Sequence, residues 1–408
     1  MRILHTADWH LGKRLMDYSR LPEQHGVMAE ICEIAEREEV DAVIVAGDLF
    51  DTYNPGSEAV ELLYRTLKRL SKDGQRPVIA IAGNHDSADR IEAPDPLARE
   101  CGILFAGYPD SHILQFKLET GLEVMRSEEG FAEVKVPGQA YPLRLLLTPY
   151  ANEVTMRRYL GEEDREDALR QMLAERWQHL ADTYCDDQGV NILTAHLYVM
   201  KKGGPAQEEP DDEKPILHMG GAQAIYTENF PKGLQYVALG HLHRYQTVDT
   251  SPCPVVYSSS PLSYSFSEAS QQKYVAIIDA EPGAEATVQK IPLDKGRKLI
   301  RKRFEAVRKA VEWLSANPDT FIELTLVTET YLDARTKKQL YNVHDGIVSL
   351  IPEVKGTDGQ PLPGERRMPD MNLDIRDLFR SYVEQKKGHE PTEDMMQLFN
   401  EILEAQRR

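Results

Sequence analysis

Five short apolar segments of this chain lead into residues of the types that bind metal ions. The segments are RILHT, VDAVIVA, PVIAIA, NILTA and QYVAL, and the motifs are DWH (8–10), GDLFD (47–51), GNHD (83–86), AH (195–196) and GHLH (240–243). Each segment is rich in β-branched residues and bounded by glycine or polar residues, which predicts a buried strand. Because open α/β sheets place their sites at the carboxyl ends of strands, we expect the motifs to meet at one edge.

The motifs supply seven candidate metal ligands: Asp8, His10, Asp48, Asn84, His196, His241 and His243. Seven ligands are too many for one tetrahedral zinc ion and suit two cations, which two-metal hydrolases hold roughly 3.5–4 Å apart. A bridging carboxylate suits that distance, and Asp48 is the candidate. Two carboxylates leave the cations with surplus positive charge, which attracts phosphate. Imidazole, carboxylate and amide ligands without thiolate fit manganese, iron or zinc better than a structural zinc site.

The spacing within the motifs has a backbone explanation. In Asp8-x-His10 and His241-x-His243, the period of two sends both side chains of a pair the same way. A glycine precedes the ligands in three motifs, where it lets the backbone turn sharply or approach a ligand closely. These glycines are Gly47, Gly83 and Gly240.

His85 is adjacent to the ligand Asn84 but is expected to point the opposite way. That position makes His85 a candidate acid, or a transition-state stabiliser, for the leaving oxygen. Asp51 and Asp86 are candidates to orient His85 or a ligand imidazole by a hydrogen bond to the ring nitrogen that does not face the metal.

Each motif alone has an ordinary explanation. A lone DxH is common, a histidine after a strand is more often a hydrogen-bonded surface residue, and GD and GNHD both suit turns. Five such motifs in order, all at strand ends, favour a metal site over coincidence. The other histidines lack this context and are interpreted as structural or surface residues: His5, His25, His112, His179, His218, His344 and His389.

Composition sets further bounds. The length of 408 residues supports about two to three domains. A net charge of −18 argues against a surface that binds polyanions everywhere, but allows a local basic path or a metal site. The four cysteines form no CxxC pair, so a reducing cytosol is expected. No apolar run approaches the about twenty residues of a membrane span, and no signal peptide is indicated.

Strand and helix patterns alternate along the first part of the chain. The periodicity predicts helices over 20–39 and 57–72 and strands near 111–118, 131–137 and 143–148. An acidic helical region, 151–184, is followed by strands at 190–195, 235–239, 253–258 and 273–279, with a long mobile loop predicted over 201–215. Two facing sheets with helices outside would bury all these strands.

The composition shifts near 281–294, and a small separate α/β domain is predicted beyond it. The pattern gives a strand over 321–329 and a helix over 332–351. The basic run 295–309 could contact phosphates, or it could be the solvated face of a structural element. Lys13 and Arg14 are further candidates for phosphate contact.

The C-terminal part begins with a loop rich in glycine and proline, 354–370, which is typical of a linker. The tail then divides at 387–391 into two amphipathic helices, with Phe379 in the first and Phe399 in the second. Such a unit is too small to fold alone. We expect it to dock either on its own chain or on a partner helix.

Longer segments around the motifs resemble a known family. They are HTADWHLGKRL, VDAVIVAGDLFDTYNP, AGNHDS, YVALGHLHR, YSSSPLSYSFSE (257–268) with KYV after it, and the helical tail. Over almost its whole length the chain resembles the SbcD family, the nuclease subunits of bacterial SbcC–SbcD complexes. The phosphoesterase motifs alone specify only the calcineurin-like superfamily. The opening undecapeptide, the 257–268 segment and the tail narrow the resemblance to SbcD.

The resemblance implies an α/β fold and a distribution of the ligands. The fold would be a two-sheet β-sandwich flanked by helices over 1–285, a small α/β DNA-capping domain over 286–360 and a helix–loop–helix over 371–408. One metal would be held by Asp8, His10, Asp48 and His243. The other would be held by Asp48, Asn84, His196 and His241, with His85 as the catalytic histidine.

The resemblance also implies activity and partners. The family acts on DNA with manganese (magnesium is possible), as an ATP-dependent double-strand exonuclease and a single-strand or hairpin endonuclease. Its partner is an ABC-type ATPase whose coiled-coil base receives the tail. A homodimer within a heterotetramer, formed through 57–72 and 87–100, and a cytoplasmic, nucleoid-associated location are expected. No GxxxxGK[ST] motif occurs, so ATP dependence would come from the partner.

Two departures from the family pattern bear on the site. Some relatives carry a second catalytic-site histidine where this chain has Asp51, and Ser-Ser-Pro (259–261) replaces an expected Gly-Ser-Pro, which alters a tight turn. Two rival functions are another calcineurin-like phosphoesterase, acting on a small phosphodiester or a phosphoprotein, and a non-catalytic scaffold for a repair ATPase. The capping domain and tail oppose the first, and the intact ligand set opposes the second.

Overall fold

A computed structural model describes residues 1–152, 155–156, 165–205, 224–328 and 332–354, together with residues 379, 383, 391, 395, 396 and 399. The chain divides into two compact units. The first contains residues 1–302, 314–324 and 344–350, and the second contains residues 303–313, 325–343 and 351–408.

The helices and strands follow one another along the chain. The first part contains β1 (Arg2–Thr6), β2 (Arg14–Leu15), β3 (Tyr18–Ser19), α1 (Leu21–Arg37), β4 (Ala42–Ala46), α2 (Ser57–Ser71), β5 (Val78–Ile81), α3 (Ala88–Glu92), α4 (Asp95–Glu100), β6 (Ile103–Ala106), β7 (Phe116–Lys117), β8 (Glu123–Glu128), β9 (Phe131–Lys135) and β10 (Leu143–Thr148). The second part contains α5 (Arg165–Tyr184), β11 (Val190–His196), β12 (Val199–Met200), β13 (Ile225–Tyr226), β14 (Tyr236–Gly240), β15 (Gln246–Asp249), β16 (Val255–Tyr257), β17 (Lys273–Asp279), β18 (Thr287–Leu293), β19 (Lys298–Phe304), α6 (Val307–Ala316), β20 (Thr320–Thr328), α7 (Ala334–Val343) and β21 (Ile347–Val354).

Two mixed sheets form the body of the first unit. The six-stranded sheet has the order β18-β17-β1-β4-β5-β6, in which β1, β4, β5 and β6 are parallel. The eight-stranded sheet has the order β15-β16-β14-β11-β10-β9-β8-β7, in which β10, β11, β14 and β16 are parallel. The strands that carry the candidate ligands are therefore neighbours: β1, β4 and β5 in one sheet, β11 and β14 in the other.

Both faces of each sheet are buried, because alternate residues of these strands pack on opposite sides of the sheet. Ile3 and Leu145 belong to the core between the sheets. Leu4, next to Ile3, packs outward with residues of α1 and α2, and Leu146 packs with residues of α5. Burying one such side chain contributes about 1.5–3 kcal/mol. The result is a helix–sheet–sheet–helix sandwich, which confirms the predicted fold class of two sheets flanked by helices.

The pattern of α2 explains why it forms and where it stops. Its buried residues, Ala59, Leu62, Leu63, Thr66, Leu67 and Leu70, recur at helical spacing and make one apolar face. The helix ends at Ser71, and the next residue, Lys72, caps it in a left-handed conformation with φ of 51°. The predicted helix over 57–72 is confirmed.

The predicted helix over 332–351 was wrong in its second half. α7 ends at Val343, and Ile347–Val354 is a strand of the three-stranded sheet β19-β20-β21. Gly346 lies at the break, where an added Cβ would overlap with the carbonyl oxygen of Thr320. The sequence of β21, IVSLIPEV, is rich in β-branched residues, which favour a strand over a continued helix.

Several strands lie where none was predicted, including β6, β15 and β19, and the strands β8 and β18 show the reason. β8 has several polar residues, and β18 (TVQKIPL) is an edge strand, so neither gives strong apolar alternation. β18 pairs with β17 from Thr287 to Leu293. The residues just beyond the expected boundary at 285 therefore continue the six-stranded sheet.

Several predicted segments lie wholly or mostly outside the described residues: most of the 201–215 loop, the start of the 151–184 helical region, the 354–370 linker and most of the tail. In the tail, the rings of Phe379 and Phe399, one from each predicted helix, stack with centroids 4.0 Å apart. The four cysteines are unpaired thiols. Among the described helices, none has the length and apolar character needed to span a bilayer.

Candidate metal centre

The structure brings all seven candidate ligands together at one end of the sandwich. Asp8 and His10 follow β1, Asp48 follows β4, Asn84 follows β5, His196 ends β11, and His241 and His243 follow β14. All seven are buried. Residues separated by more than two hundred positions meet because the parallel strands of both sheets end at the same edge.

Asp48 lies at the middle of this group. Its Oδ1 accepts a hydrogen bond from the backbone N–H of His85 at 2.8 Å. Its Oδ2 lies 3.2 Å from Nε2 of His196 and 3.7 Å from Nε2 of His10. One oxygen thus fixes the side chain, and the other lies between histidines from the two sheets, where a bridging ligand would be needed.

Asp8 divides its oxygens in the same way. Oδ1 accepts from the backbone N–H of His241 at 2.8 Å. Oδ2 is buried and has no hydrogen-bond donor among the residues that the structure describes. A buried carboxylate oxygen without a donor is costly. A divalent cation at Oδ2 would remove that cost, so the residues present fit a metal ion.

The imidazoles and the amide complete two clusters of donor atoms. Nε2 of His10 lies 3.0 Å from Nε2 of His243, and Nε2 of His196 lies 2.8 Å from Oδ1 of Asn84. Donor atoms of Asp8, His10 and Asp48 all lie within 4.8 Å of one another. Two ring nitrogens that face each other this closely can share a proton or can bind the same cation.

Backbone carbonyls fix which ring nitrogen carries hydrogen. Nδ1 of His196 lies 2.9 Å from the carbonyl oxygen of Ala46. Because a carbonyl only accepts, Nδ1 carries a proton, and Nε2, which faces Asp48 and Asn84, is the nitrogen that would lose its proton to bind a cation. The same reasoning applies to His85, whose Nδ1 donates to the carbonyl oxygen of Asp51 at 2.8 Å.

Buried charges shift the acidities of the cluster. Burial raises the pKa of Asp8 to about 7. Burial would also raise the pKa of Asp48, but His196 and His10 lower it well below the usual range. Burial lowers the pKa of His196, yet Asp48 and Asp8 outweigh it and raise that pKa to about 9. In the metal-free protein protons therefore occupy the cluster near neutral pH, and binding of cations would release them.

Four of the candidate ligands have strained backbones. The φ angles are 56° at Asp8, 44° at His10, 49° at Asp48 and 105° at His241. Such conformations cost of the order of 1–3 kcal/mol each for residues other than glycine, and they concentrate at functional sites. The strain is held by hydrogen bonds between the two loops, since the N–H of His10 donates to the carbonyl of Asp48 at 2.9 Å.

Glycines allow the close approach that the sequence predicted. At Gly47, with φ of 94°, an added Cβ would overlap with the ring of His196. At Gly240 it would overlap with the carbonyl oxygen of Ala46. The two sheets can therefore meet at the site only because these positions carry no side chain.

Asp86 and Asp51 have different surroundings. The carboxylate of Asp86 accepts from three backbone N–H groups, those of Leu49, Phe50 and Gly83, at 2.9–3.0 Å. It thus supports the ligand loops through their backbone. Asp51 contacts His85 with its backbone carbonyl oxygen, which accepts from Nδ1 of His85. The side-chain Oδ1 of Asp51 lies 3.8 Å from Nδ1 of His10.

The basic residues proposed for phosphate contact are partly engaged. Lys13 is 7% exposed, and its ammonium group lies 3.0 Å from Oδ1 of Asp51, inside the site. Arg14 is exposed. Three arginines of the 295–309 run make surface ion pairs: Arg297 with Asp345, Arg301 with Glu323 and Arg303 with Glu353.

Sequence reasoning missed four buried residues that contact the histidines or their loops. They are Gln24, which donates to the carbonyl of His10 at 2.8 Å, Tyr264, whose ring is edge-on to His10, and Glu268 and Lys273, which contact His243. A signal was available for three of them, because Tyr264 and Glu268 lie in the 257–268 segment that narrowed the family resemblance and Lys273 begins the KYV that follows it. Gln24 lies within an ordinary amphipathic helix and gave no signal.

Comparisons with known proteins agree with this geometry. The calcineurin-like phosphoesterase family matches residues 1–245. Three SbcD proteins, each named as part of the nuclease SbcCD, are similar to the chain. The one from Bacillus subtilis is 36% identical over 98% of this chain and 97% of its own. The one from Rhodobacter capsulatus is 34% identical over 78% of this chain and 75% of its own. The one from Staphylococcus epidermidis is 27% identical over 100% of this chain and 100% of its own.

Proposed function

Because the chain belongs to the SbcD family of calcineurin-like phosphoesterases, we propose that it is a DNA nuclease subunit that hydrolyses phosphodiester bonds with two divalent cations. The observation that carries the proposal is the position of Asp48 Oδ2, between His196 at 3.2 Å and His10 at 3.7 Å. A single carboxylate oxygen at that position could be shared by two cations, each of which has further ligands from both sheets. Two adjacent cations need such a bridge.

Each cation has its own ligand set in this proposal. One is held by Asp8, His10, Asp48 and His243, and the other by Asp48, Asn84, His196 and His241. Manganese is the proposed ion, with magnesium as the alternative, and the mixed nitrogen and oxygen donors support a transition metal. When bound, the two cations supply Lewis-acid activation of the phosphate and of the attacking water.

His85 is the proposed catalytic residue. Its Nδ1–H donates to the carbonyl of Asp51 at 2.8 Å, which fixes the ring and leaves Nε2 to hold a proton for the leaving oxygen. The ring lies edge-on to His10, with centroids 4.8 Å apart. The ammonium of Lys13 neutralises Asp51, so the carboxylate does not add repulsion toward an approaching phosphate.

The substrate is proposed to be DNA, cut as a single-strand or hairpin endonuclease and, with an ATPase partner, as a double-strand exonuclease. With manganese, we expect the purified chain to cleave a labelled DNA hairpin, and the Asp48→Asn variant prepared alongside to leave it intact. Bis(p-nitrophenyl) phosphate in parallel reactions tests for a small-substrate phosphoesterase. Hydrolysis of that ester without hairpin cleavage would replace the nuclease proposal, and hydrolysis of neither would favour a scaffold.

The partner is proposed to be an SbcC-type ATPase with a coiled coil that receives residues 371–408, in a complex containing a homodimer of this chain. Stacking of Phe379 on Phe399 supports a paired-helix tail. Leu97, which is 78% exposed in the proposed dimer segment 87–100, supports a further contact there. The complex is proposed to act in the cytoplasm, at the nucleoid.

Deleting residues 371–408 is expected to abolish association with the ATPase while leaving manganese-dependent hairpin cleavage intact, because the candidate ligands all lie before residue 244. A pull-down with the ATPase, paired with a hairpin assay on the same preparation, measures both. Phe399→Ala in the full-length chain is the milder variant, which removes one ring of the stack. Undiminished association of the truncated chain would contradict the role of the tail.

A further inference from the structure

The 257–268 segment has a structural role that the two-cation centre alone does not explain. It leaves β16 and ends in a short 3-10 helix, Phe266–Glu268, which is capped by Ser265. Ser259 adopts a left-handed conformation, with φ of 78°. Its hydroxyl accepts from the N–H of Tyr274 at 3.0 Å and donates to the carbonyl of Tyr274 at 3.1 Å. A serine in place of the expected glycine thus ties the segment to β17.

Glu268, at the end of the segment, is 2% exposed and reaches a ligand histidine. Its Oε1 lies 3.3 Å from Nδ1 of His243. The same oxygen accepts from the backbone N–H groups of Tyr264 at 3.0 Å and Ser265 at 3.2 Å. The local helix therefore holds the carboxylate in place before it contacts the imidazole.

Lys273 holds the other side of Glu268. Its ammonium group is buried and forms a close ion pair with Oε2 of Glu268. It also donates to the carbonyl oxygen of His243 at 2.7 Å and to the hydroxyl of Ser260 at 3.0 Å. Glu268 thus contacts the ring of His243 while Lys273 contacts its backbone, and the two charges offset each other.

The carboxylate of Glu268 decides the tautomer of His243. Its Oε1 accepts two backbone N–H groups and its Oε2 pairs with the Lys273 ammonium, so the groups that hold it are donors. An ionised carboxylate only accepts hydrogen bonds. His243 must therefore carry its proton on Nδ1, which leaves the lone pair of Nε2 directed at Nε2 of His10, 3.0 Å away.

We propose that Glu268, held by Lys273, is a positioning residue that sets the tautomer and orientation of His243 and so the affinity of one cation. The proposal rests on the two-cation centre proposed above. It assigns the effect to the cation held by Asp8, His10, Asp48 and His243. Ligands of the other cation are held by different groups, His196 by the carbonyl oxygen of Ala46 and Asp48 by the N–H of His85, so that cation should keep its affinity.

The test compares Glu268→Gln with a matched variant, Glu133→Gln. Glu133 is also a buried glutamate in an ion pair, 2.8 Å from Arg144, but it lies in β9, and its ion-pair partners are arginines rather than candidate ligands. In Glu268→Gln, an amide cannot satisfy both the Lys273 ammonium and His243 Nδ1–H as a carboxylate does. Removal of such outer contacts typically weakens metal binding about 10–100-fold.

Calorimetric titration of the full-length, metal-free proteins with Mn²⁺ gives the deciding numbers. We expect two bound ions in wild type and Glu133→Gln, and in Glu268→Gln one ion weakened about 10–100-fold with the other unchanged. Long-range ¹H–¹⁵N spectra of the metal-free proteins should show the Nδ1–H tautomer of His243 in wild type. In Glu268→Gln they should show loss of that preference, which a merely structural role would not produce.

Wild-type affinities for both ions in a folded Glu268→Gln protein would overturn the proposal. Should that variant fail to fold by circular dichroism, Glu268→Asp decides instead, because it keeps the charge but withdraws it from His243. Reduced affinity for one ion supports the proposal, and unchanged affinity rejects it. Failure of wild type to bind two ions would instead reject the two-cation centre and, with it, this inference.

Discussion

The Asp48→Asn variant is expected to bind neither cation tightly and to lose DNA cleavage activity by roughly a thousandfold or more, since two-metal catalysis supplies several kcal/mol. Asparagine can still accept the N–H of His85 through Oδ1, which Asp48 does at 2.8 Å, so the loop keeps its support. The change falls on the other oxygen. An NH2 group there would place donors against His10 and His196 and would remove the bridging charge.

Manganese titration and hairpin cleavage measure this effect together. Asp41→Asn is the matched control, because Asp41 lies at the opposite end of β4, where its carboxylate accepts the backbone N–H of Arg2 at 2.7 Å. We expect that control to bind two ions and cleave normally. Retention of both ions by Asp48→Asn would show that Asp48 does not bridge them.

The His85→Gln variant is expected to keep both cations and lose about 10²–10⁴-fold in turnover, the usual contribution of a positioned proton donor. Glutamine can donate a hydrogen bond to the carbonyl of Asp51, as Nδ1 of His85 does at 2.8 Å. It cannot transfer a proton to the leaving oxygen. The measurement is kcat for hairpin cleavage at saturating manganese, with the bound metal quantified in the same sample.

His25→Gln provides the control for His85, since His25 is an exposed histidine on α1. It should cleave as wild type does. Unchanged turnover in His85→Gln would reject the acid role. Loss of a cation from that variant would make His85 a ligand and would require a different assignment of the proton donor.

The candidate site was predictable because its signals are local. Asp8 and His10 follow β1 within four residues, and Asp48 follows β4 by two, so each apolar run marks its own candidate ligands. Glycines at the strand ends, such as Gly47, added the expectation of close approach. Parallel strands then bring the ends together, and nothing about distant contacts had to be known.

The supporting residues were not predictable in this way. Glu268 lies 25 positions after His243 and reaches it only because Lys273, on β17, closes the network from the adjacent sheet. Lys13 was named only as a candidate for phosphate contact, and its ion pair with Asp51 was not anticipated. A pattern along the chain records which residues are charged and not which opposite charge the fold will bring near.

The boundaries of elements depended on the same tertiary effects. The helical periodicity after residue 332 continued past Val343, but Gly346 passes too close to Thr320 for any side chain, and β21 begins there. No strand was expected at β18, because the composition shift near 281–294 indicated a domain boundary. Pairing with β17 along seven residues, rather than apolar alternation, makes it a strand.

An anomalous difference map from crystals soaked in manganese measures the metal centre itself. The account predicts two peaks, one beside His10 and His243 and one beside Asn84 and His196, with Asp48 touching both. A map without peaks at that edge of the sandwich, or with a single peak out of reach of Asp48, would contradict it.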